Sequence, residues 1–147
     1  GSSFTAGEIA HVVVDPNGPI CKCGKQGCLE SFVSGDRLQQ RISQDPAART
    51  HILTEAGALL GRVMAIPAGL LDLRDISVYG APEIVNTQFI DAMENEISRT
   101  VTTDYQEAPQ IHRCRQGEDL TLRGQATIVI RTLVPTIHER GSLIGEA

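Results

Sequence analysis

The chain has 147 residues, of which 41% are hydrophobic, and this is enough for one globular domain with its own core. Its formal net charge of -5 offers no basic surface for phosphates, so the chain by itself is expected to bind nucleic acid poorly. It has neither an apolar run near the roughly 20 residues that cross a bilayer nor a signal-peptide pattern, so a cytoplasmic protein without membrane contact is expected.

The first predicted element is a short strand over residues 9–14. Its sequence, IAHVVV, is rich in β-branched residues and is bounded by Gly7 and by the turn residues Asp15 to Gly18. The turn leads into a loop that contains three closely spaced cysteines.

The cysteine loop has the composition of a metal site. One histidine and three cysteines have the spacing H-x9-C-x-C-x4-C, and they are His11, Cys21, Cys23 and Cys28. Four thiolate and imidazole ligands complete the shell of a zinc ion and leave no position for water, so a structural Zn²⁺ is predicted. Gly24 and Gly27 lie where a chain folding tightly around a metal needs positive backbone angles. The alternative is buried thiols or a disulfide.

After this loop the sequence predicts helices and short strands in alternation. Helices are expected where apolar residues recur at a spacing of three and four, and strands where short β-branched runs end at a turn. The predicted elements are a helix over 29–44 with a break near Ser34-Gly35, a core helix from Thr50 that ends or kinks before Pro67, a strand over 76–80, a helix over 84–101, a brief strand over 111–114 and a helix over 120–137 disturbed by Pro135. Such alternation predicts an α/β fold with parallel crossovers.

Two segments carry a resemblance to a known family. AGEIAH followed by CKCGKQGCLE resembles the signature of the ROK family (repressors, open reading frames and sugar kinases), A-G-E-x-G-H and then C-x-C-G-x-x-G-C-x-E. The resemblance is strongest over residues 6–30. It implies the C-terminal lobe of an actin-like, ribonuclease H-like ATPase-type α/β fold with a zinc-binding loop, taken here as a single domain over residues 1–147.

The resemblance also implies the roles of individual residues. In the family the histidine and the three cysteines bind zinc, and the residues that match its sugar contacts are Glu8, His11 and Glu30. Ala10 departs from the family pattern, which usually has glycine there, and its methyl group is expected to tighten the turn beside the sugar.

Two activities are compatible with this resemblance. In ROK kinases the phosphate-binding turn and the catalytic aspartate belong to the N-terminal lobe, so no catalytic residue is assigned in this chain. The family's usual Gly-Gly pair after the strand is replaced by the sequence Tyr79 to Pro82, which adds a side chain where a nucleotide would approach the backbone. A sugar-sensing, dimer-forming effector domain of a transcriptional regulator is therefore preferred to an enzyme, with DNA bound only through an absent N-terminal domain.

The remaining alternatives are the C-terminal part of a sugar kinase and a zinc-stapled interaction lobe that has lost ligand binding. Cys114 is predicted to be a small buried hydrophobic residue. The other histidines are expected to be solvated or core residues, and they are His51, His112 and His138.

Overall fold

The computed structural model describes residues 2, 7–101, 107–114 and 120–133. The chain divides into two compact units, Gly1–Cys114 and Arg115–Ala147. The single domain expected over residues 1–147 stays a prediction.

The described part of the first unit contains four α-helices, two strands and a short 3-10 helix, Pro46–Ala48. The α-helices and strands are α1 (Glu30–Val33), α2 (Gly35–Gln44), α3 (Arg49–Leu71), β1 (Asp75–Val78), α4 (Thr87–Val101) and β2 (Gln110–Arg113). The break between α1 and α2 at Ser34 confirms the interruption predicted near Ser34-Gly35.

The two strands pair in parallel, with Asp75 opposite Gln110 and Val78 opposite Arg113. Because α4 lies between them in sequence, the segment β1–α4–β2 is a βαβ unit. The two predicted strands and their parallel arrangement are therefore confirmed, within one or two residues at each end.

The core of the first unit lies mainly between α3 and α4. The backbones approach closely at two glycines of α3: a Cβ atom added at Gly57 would lie 2.2 Å from the carbonyl oxygen of Phe89, and one added at Gly61 would lie 2.5 Å from that of Met93. The most completely buried large side chains of this core cluster are Leu38, Leu53, Met93 and Ile97. Small residues on one helix thus let apolar side chains of the other pack at close range.

The strand predicted over residues 9–14 is wrong. The structure has only an isolated antiparallel bridge there, between Val13 and Cys28. The N–H of Leu29 donates to the carbonyl of Val12 at 2.9 Å, so this segment is tied to the start of α1 and not to the sheet. Val12 and Val13 are 45% and 43% exposed, so their β-branched character does not mark a buried strand here.

The core helix was expected to end or kink before Pro67, and of these alternatives the end is wrong, because α3 continues through Pro67 to Leu71. Ala65 and Ala68, on either side of the proline, are buried in the core, and this packing outweighs the loss of one backbone donor. The helix ends at Asp72, which has the left-handed conformation (φ 48°, ψ 50°).

By length and composition alone, the helical stretch Pro46–Leu71 could cross a membrane, which the sequence analysis did not anticipate. Its buried residues, among them Ile52, Leu53 and Ala56, belong to the same core cluster as those of α4. At least part of the apolar surface of α3 is thus buried against the rest of the protein core.

The helix predicted over 84–101 begins three residues later, at Thr87. The N–H groups of Ile84 and Val85 both donate to the carbonyl of Ala81, which forms a separate turn. Asn86 then accepts the N–H of Phe89 on its side-chain oxygen at 3.1 Å, as an N-cap residue does.

The described part of the second unit is one helix, α5 (Leu120–Leu133). It confirms the predicted C-terminal helix up to Leu133. The predicted disturbance at Pro135, the continuation to residue 137 and His138 lie outside the described residues.

Candidate metal centre

The cysteine loop is a set of tight turns. The N–H of Cys21 donates to the carbonyl of Lys25 at 2.8 Å, and the N–H of Gly24 donates to the carbonyl of Cys21 at 2.9 Å. Gly24 and Gly27 have φ values of +87° and +73°, as the sequence predicted, because other residues reach this region only with strain.

Gly27 has a second constraint, which is contact with the preceding turn. A Cβ atom at this position would lie 1.5 Å from the carbonyl oxygen of Asp15. The N–H groups of Val14 and Asp15 donate to the carbonyl of Gly27 at 2.8 and 3.3 Å. The turn before the cysteines and the turn between them are therefore held against each other at a point where only glycine fits.

These turns bring four donor atoms together. The four residues that contribute them are His11, Cys21, Cys23 and Cys28, and their ligand atoms all lie within 4.8 Å of one another. Cys23 Sγ is 3.5 Å from Cys28 Sγ, and Cys21 Sγ is 3.6 Å from His11 Nδ1. Zinc with Zn–S and Zn–N bonds of about 2.3 and 2.0 Å has ligand-to-ligand distances of roughly 3.5 to 3.8 Å in a tetrahedral shell, so this donor set fits it.

The disulfide alternative is not realised. All four cysteines are free, and the 3.5 Å between Cys23 Sγ and Cys28 Sγ is well beyond a covalent S–S bond of about 2.05 Å. Cys114 is only half-buried, so the prediction that it is a buried hydrophobic residue is not met.

The thiols of the cluster have different environments. Cys23 is exposed, and the backbone N–H of Lys25 lowers its pKa by hydrogen bonding to the sulfur. Cys28 is fully buried, and burial raises the pKa of its thiol to about 11, helped by the neighbouring sulfurs of Cys23 and Cys21. A metal cation would reverse this preference, because it stabilises each thiolate directly.

Glu30 lies at the edge of the metal cluster. It is the first residue of α1, as expected for a carboxylate favoured by a helix N-terminus. Its Oε2 atom lies 3.6 Å from His11 Nδ1 and 3.6 Å from Cys21 Sγ. The same imidazole nitrogen therefore faces both the cysteines and the carboxylate, so the position of Glu30 depends on two of the four metal-ligand candidates.

A cavity of about 340 Å³ adjoins this carboxylate. Its lining residues come from the cysteine loop, α1 and α2, and they are Pro19, Ile20, Cys21, Lys22, Glu30, Ser31, Ser34, Asp36, Arg37 and Gln40. Of the three predicted sugar contacts, only Glu30 lines it. His11 does not line the cavity, but its ring lies beside the Glu30 carboxylate, which does. Glu8 is exposed and is not among the lining residues.

The part of this cavity formed by α2 was not predicted from the sequence. Asp36, Arg37 and Gln40 are at positions i, i+1 and i+4, and Arg37 donates to the side-chain oxygen of Gln40 at 2.8 Å. Gln40 is four residues after Asp36 and three after Arg37, so the sequence could have indicated that these polar side chains lie together on the helix that follows the cysteine motif.

Ala10 has an ordinary backbone conformation. Among the residues that the structure describes, Asp72 is the only non-glycine residue with a positive φ. A glycine is thus not required at Ala10 for its backbone conformation, and its methyl group is accommodated without backbone strain.

A second cavity, of about 340 Å³, lies beyond the carboxyl ends of the two parallel strands. Arg113, Asn86 and Thr87 are among its lining residues. A Cβ atom at Gly80 would lie 2.6 Å from a side-chain carbon of Val85, so glycine is needed there for packing. Ligands of open α/β sheets commonly bind at this edge.

Known proteins resemble the chain in sequence and in fold. The family model described as "ROK family" matches residues 1–132. An N-acetylmannosamine kinase of Haemophilus influenzae (strain PittEE) is 29% identical over an alignment that covers 86% of this chain and 46% of that protein. The chain therefore spans about half the length of the curated relatives it matches.

Two solved structures show the same architecture. A ROK hexokinase from Thermus thermophilus has a TM-score of 0.68 and 25% identity, covering 87% of this chain and 49% of that one. A ROK family transcriptional regulator, a homologue of the Escherichia coli MLC protein, has a TM-score of 0.71 and 21% identity, covering 84% of this chain and 38% of that one. The family-model match and the α/β fold together show that this chain belongs to the ROK family.

Proposed function

We propose that the first unit of this chain is a sugar-binding lobe whose binding carboxylate is positioned by a structural zinc ion. The observation that carries the proposal is the position of Glu30, 3.6 Å from a histidine and a cysteine of the metal cluster and on the wall of a cavity. Carboxylates accept hydrogen bonds from sugar hydroxyls in a defined geometry.

Zinc is the metal that best suits the four donors. The residues that would hold it are His11, Cys21, Cys23 and Cys28. When bound, the metal supplies a rigid crosslink between two turns. Four protein ligands leave no open position for substrate or water, so the metal would be structural. Its contribution is therefore to folding and positioning, and the sugar contacts come from the protein, with Glu8, His11 and Glu30 as the proposed groups.

We propose further that the lobe senses a sugar for a transcriptional regulator. The sequence Tyr79 to Pro82 supports this reading. It keeps only one glycine, Gly80, where family kinases usually have two, so a side chain is added there, and Pro82 fixes the turn further. DNA would be bound by a separate N-terminal domain, since this chain has a net charge of -5. The protein would be a cytoplasmic homo-oligomer, a dimer or larger.

A sugar kinase is the second candidate, and two observations favour it. The curated relatives are named N-acetylmannosamine kinases. The cavity at the carboxyl ends of the strands also has Arg113 in its wall, and a guanidinium group can pair with phosphate. In this case ATP-dependent phosphorylation of a hexose would require groups from the other lobe.

The sugar proposal is tested by calorimetric titration of the full-length protein with glucose, N-acetylglucosamine and N-acetylmannosamine. Glu30→Gln should weaken binding of the recognised sugar by about tenfold or more while zinc content stays at one equivalent, because the change removes a charged acceptor. Glu94→Gln, at an exposed position on α4, is the matched control and should bind as the wild type does.

The titration also separates the alternatives. Absence of heat with every sugar would favour the interaction lobe and overturn the binding proposal. If a sugar binds, its phosphorylation in the presence of ATP would identify a kinase, whereas sugar-dependent release of operator DNA without phosphorylation would identify a regulator.

A further inference from the structure

We propose that Cys23 is a site of oxidation by hydrogen peroxide and that Cys28 is its resolving partner, so that oxidation forms a Cys23–Cys28 disulfide and releases the metal. The inference rests on the zinc site of the proposed function. The observations that carry it are the 3.5 Å separation of the two sulfur atoms and the very different exposure of the two residues.

Exposure makes Cys23 the sulfur that a dissolved oxidant meets first. Cys21 and Cys28 are 5% and 0% exposed, whereas Cys23 is exposed at the tip of the loop. Oxidation of cysteine thiolates follows their accessibility, and metal coordination holds a cysteine as the thiolate. Cys21 is further protected because its sulfur faces the carboxylate of Glu30 and the ring of His11.

The chemistry is balanced with peroxide as the only co-reactant. The Cys23 thiolate attacks one oxygen of hydrogen peroxide, an S–O bond forms, the O–O bond breaks and hydroxide leaves. The Cys28 thiolate then attacks the Cys23 sulfur, the S–S bond forms and a second hydroxide leaves. Two thiolates are oxidised by two electrons in total and one peroxide is reduced.

The geometry of the loop favours this pair. The two sulfurs must approach from 3.5 Å to about 2.05 Å. Gly24 lies between the two cysteines in the chain and an added Cβ there would meet no atom within 4 Å, so the backbone can adjust at this residue. The product leaves a metal ion with only His11 and Cys21 as ligands, which is too few to hold zinc tightly.

The test uses the zinc-loaded protein in a Cys114→Ser background, treated with hydrogen peroxide at neutral pH. Zinc release is followed with a chromophoric chelator, and peptide mass mapping identifies the disulfide. We expect one zinc released per chain, a Cys23–Cys28 disulfide, and recovery of zinc binding after reduction by dithiothreitol.

Two variants keep four zinc ligands and distinguish the cysteines, because Cys2His2 sites are ordinary structural zinc sites. Cys23→His should release zinc at least about tenfold more slowly than the wild type, because the sulfur of the exposed residue is gone. Cys21→His exchanges one thiolate ligand in the same way but retains both reacting sulfurs, so it is the matched control and should still release zinc as the Cys23–Cys28 disulfide forms.

The inference is overturned if peroxide releases zinc without a Cys23–Cys28 disulfide, or if the disulfide forms while zinc is retained. Equal release rates in the two variants would also overturn it. If either variant fails to bind zinc, mapping of the wild-type protein alone decides. If the wild-type protein binds no zinc, the zinc proposal fails, and disulfide mapping of the metal-free chain still tests whether this pair of cysteines reacts.

Discussion

Residues 8–30, which contain the cysteine loop, and the packed helices α3 and α4 differ in the interactions that stabilise them. The loop has almost no regular secondary structure before α1, and its most ordered features are a cluster of four side chains that could hold a metal ion and glycines with positive φ. The α3–α4 pair consists of regular helices whose apolar side chains are buried against each other, and the described core contains no buried polar or charged residue. The loop should therefore depend on metal and pH, and the core should not.

The largest expected difference follows removal of the metal. Cys28→Ser should lose zinc and disorder the loop, since structural zinc sites contribute on the order of 10 kcal/mol to folding. The helices α3 and α4 should persist, because their contacts do not involve the cluster. Metal analysis and circular dichroism measure the two effects, with Cys114→Ser as the control. A Cys28→Ser protein that retains one equivalent of zinc would contradict the assigned ligand set.

A smaller effect is expected from the glycines of the loop. Gly27→Ala should destabilise the protein by about 3 kcal/mol or more, because its Cβ would overlap the carbonyl of Asp15 as well as require a positive φ. Gly24→Ala has the same φ requirement but no neighbour within 4 Å, and should cost about 1 to 2 kcal/mol. Denaturant unfolding of the zinc-loaded variants measures the difference. Equal losses would show that the contact with Asp15 is unimportant.

In the core, Gly61→Ala should destabilise the protein by about 1 to 3 kcal/mol without changing zinc content, because its Cβ would lie 2.5 Å from the carbonyl oxygen of Met93. Gly69→Ala, on the same helix, meets only a side-chain carbon of Val101 at 3.3 Å. It should be neutral or stabilising by up to about 1 kcal/mol, since alanine favours helix. The comparison fails if both variants lose equal stability in thermal unfolding.

The pH dependence should also separate the regions. Because the pKa of Cys28 is raised to about 11 without metal, this thiol is protonated at pH 7 and zinc binding must displace its proton. Zinc affinity should therefore rise about tenfold per pH unit for each displaced proton between pH 7 and 9, and fall on acidification. Competition with a chelator of known affinity measures this slope. A zinc affinity independent of pH would mean that the thiols are not ligands.

The two regions also differ in how far the sequence predicts them. The spacing of His11 and the three cysteines predicted that their donor atoms would come together, as they do, because metal chemistry restricts both residue type and distance along the chain. Helical periodicity located α3 and α4, but it did not show that α3 continues past Pro67 without ending there. The effect of Pro67 is local, whereas the burial of Ala65 and Ala68 that keeps the helix intact depends on tertiary packing.

Other features could not be read from the sequence for the same reason. The run of residues 9–14 has strand composition, yet its backbone groups bond mainly to the start of α1. The N–H groups of Leu29 and Glu30 donate to the carbonyls of Val12 and Ala10, and only the N–H of Val14 donates to Gly27. The contribution of Arg37 and Gln40 to the cavity required knowing that α2 turns back beside Glu30. Which cysteines of the cluster are buried and which is exposed likewise depends on the tertiary structure, and the spacing of the cysteines in the sequence does not show it.

The most direct test of the account is the sugar affinity of the full-length protein with and without zinc. The account predicts that Cys28→Ser or gentle chelation weakens sugar binding by roughly 5- to 150-fold, the range of a coupling of about 1 to 3 kcal/mol, because Glu30 is no longer held beside His11. Calorimetric titration of zinc-loaded and zinc-free protein measures the ratio. If zinc is lost while the sugar binds as tightly as before, the metal does not position the binding carboxylate and the central claim is wrong.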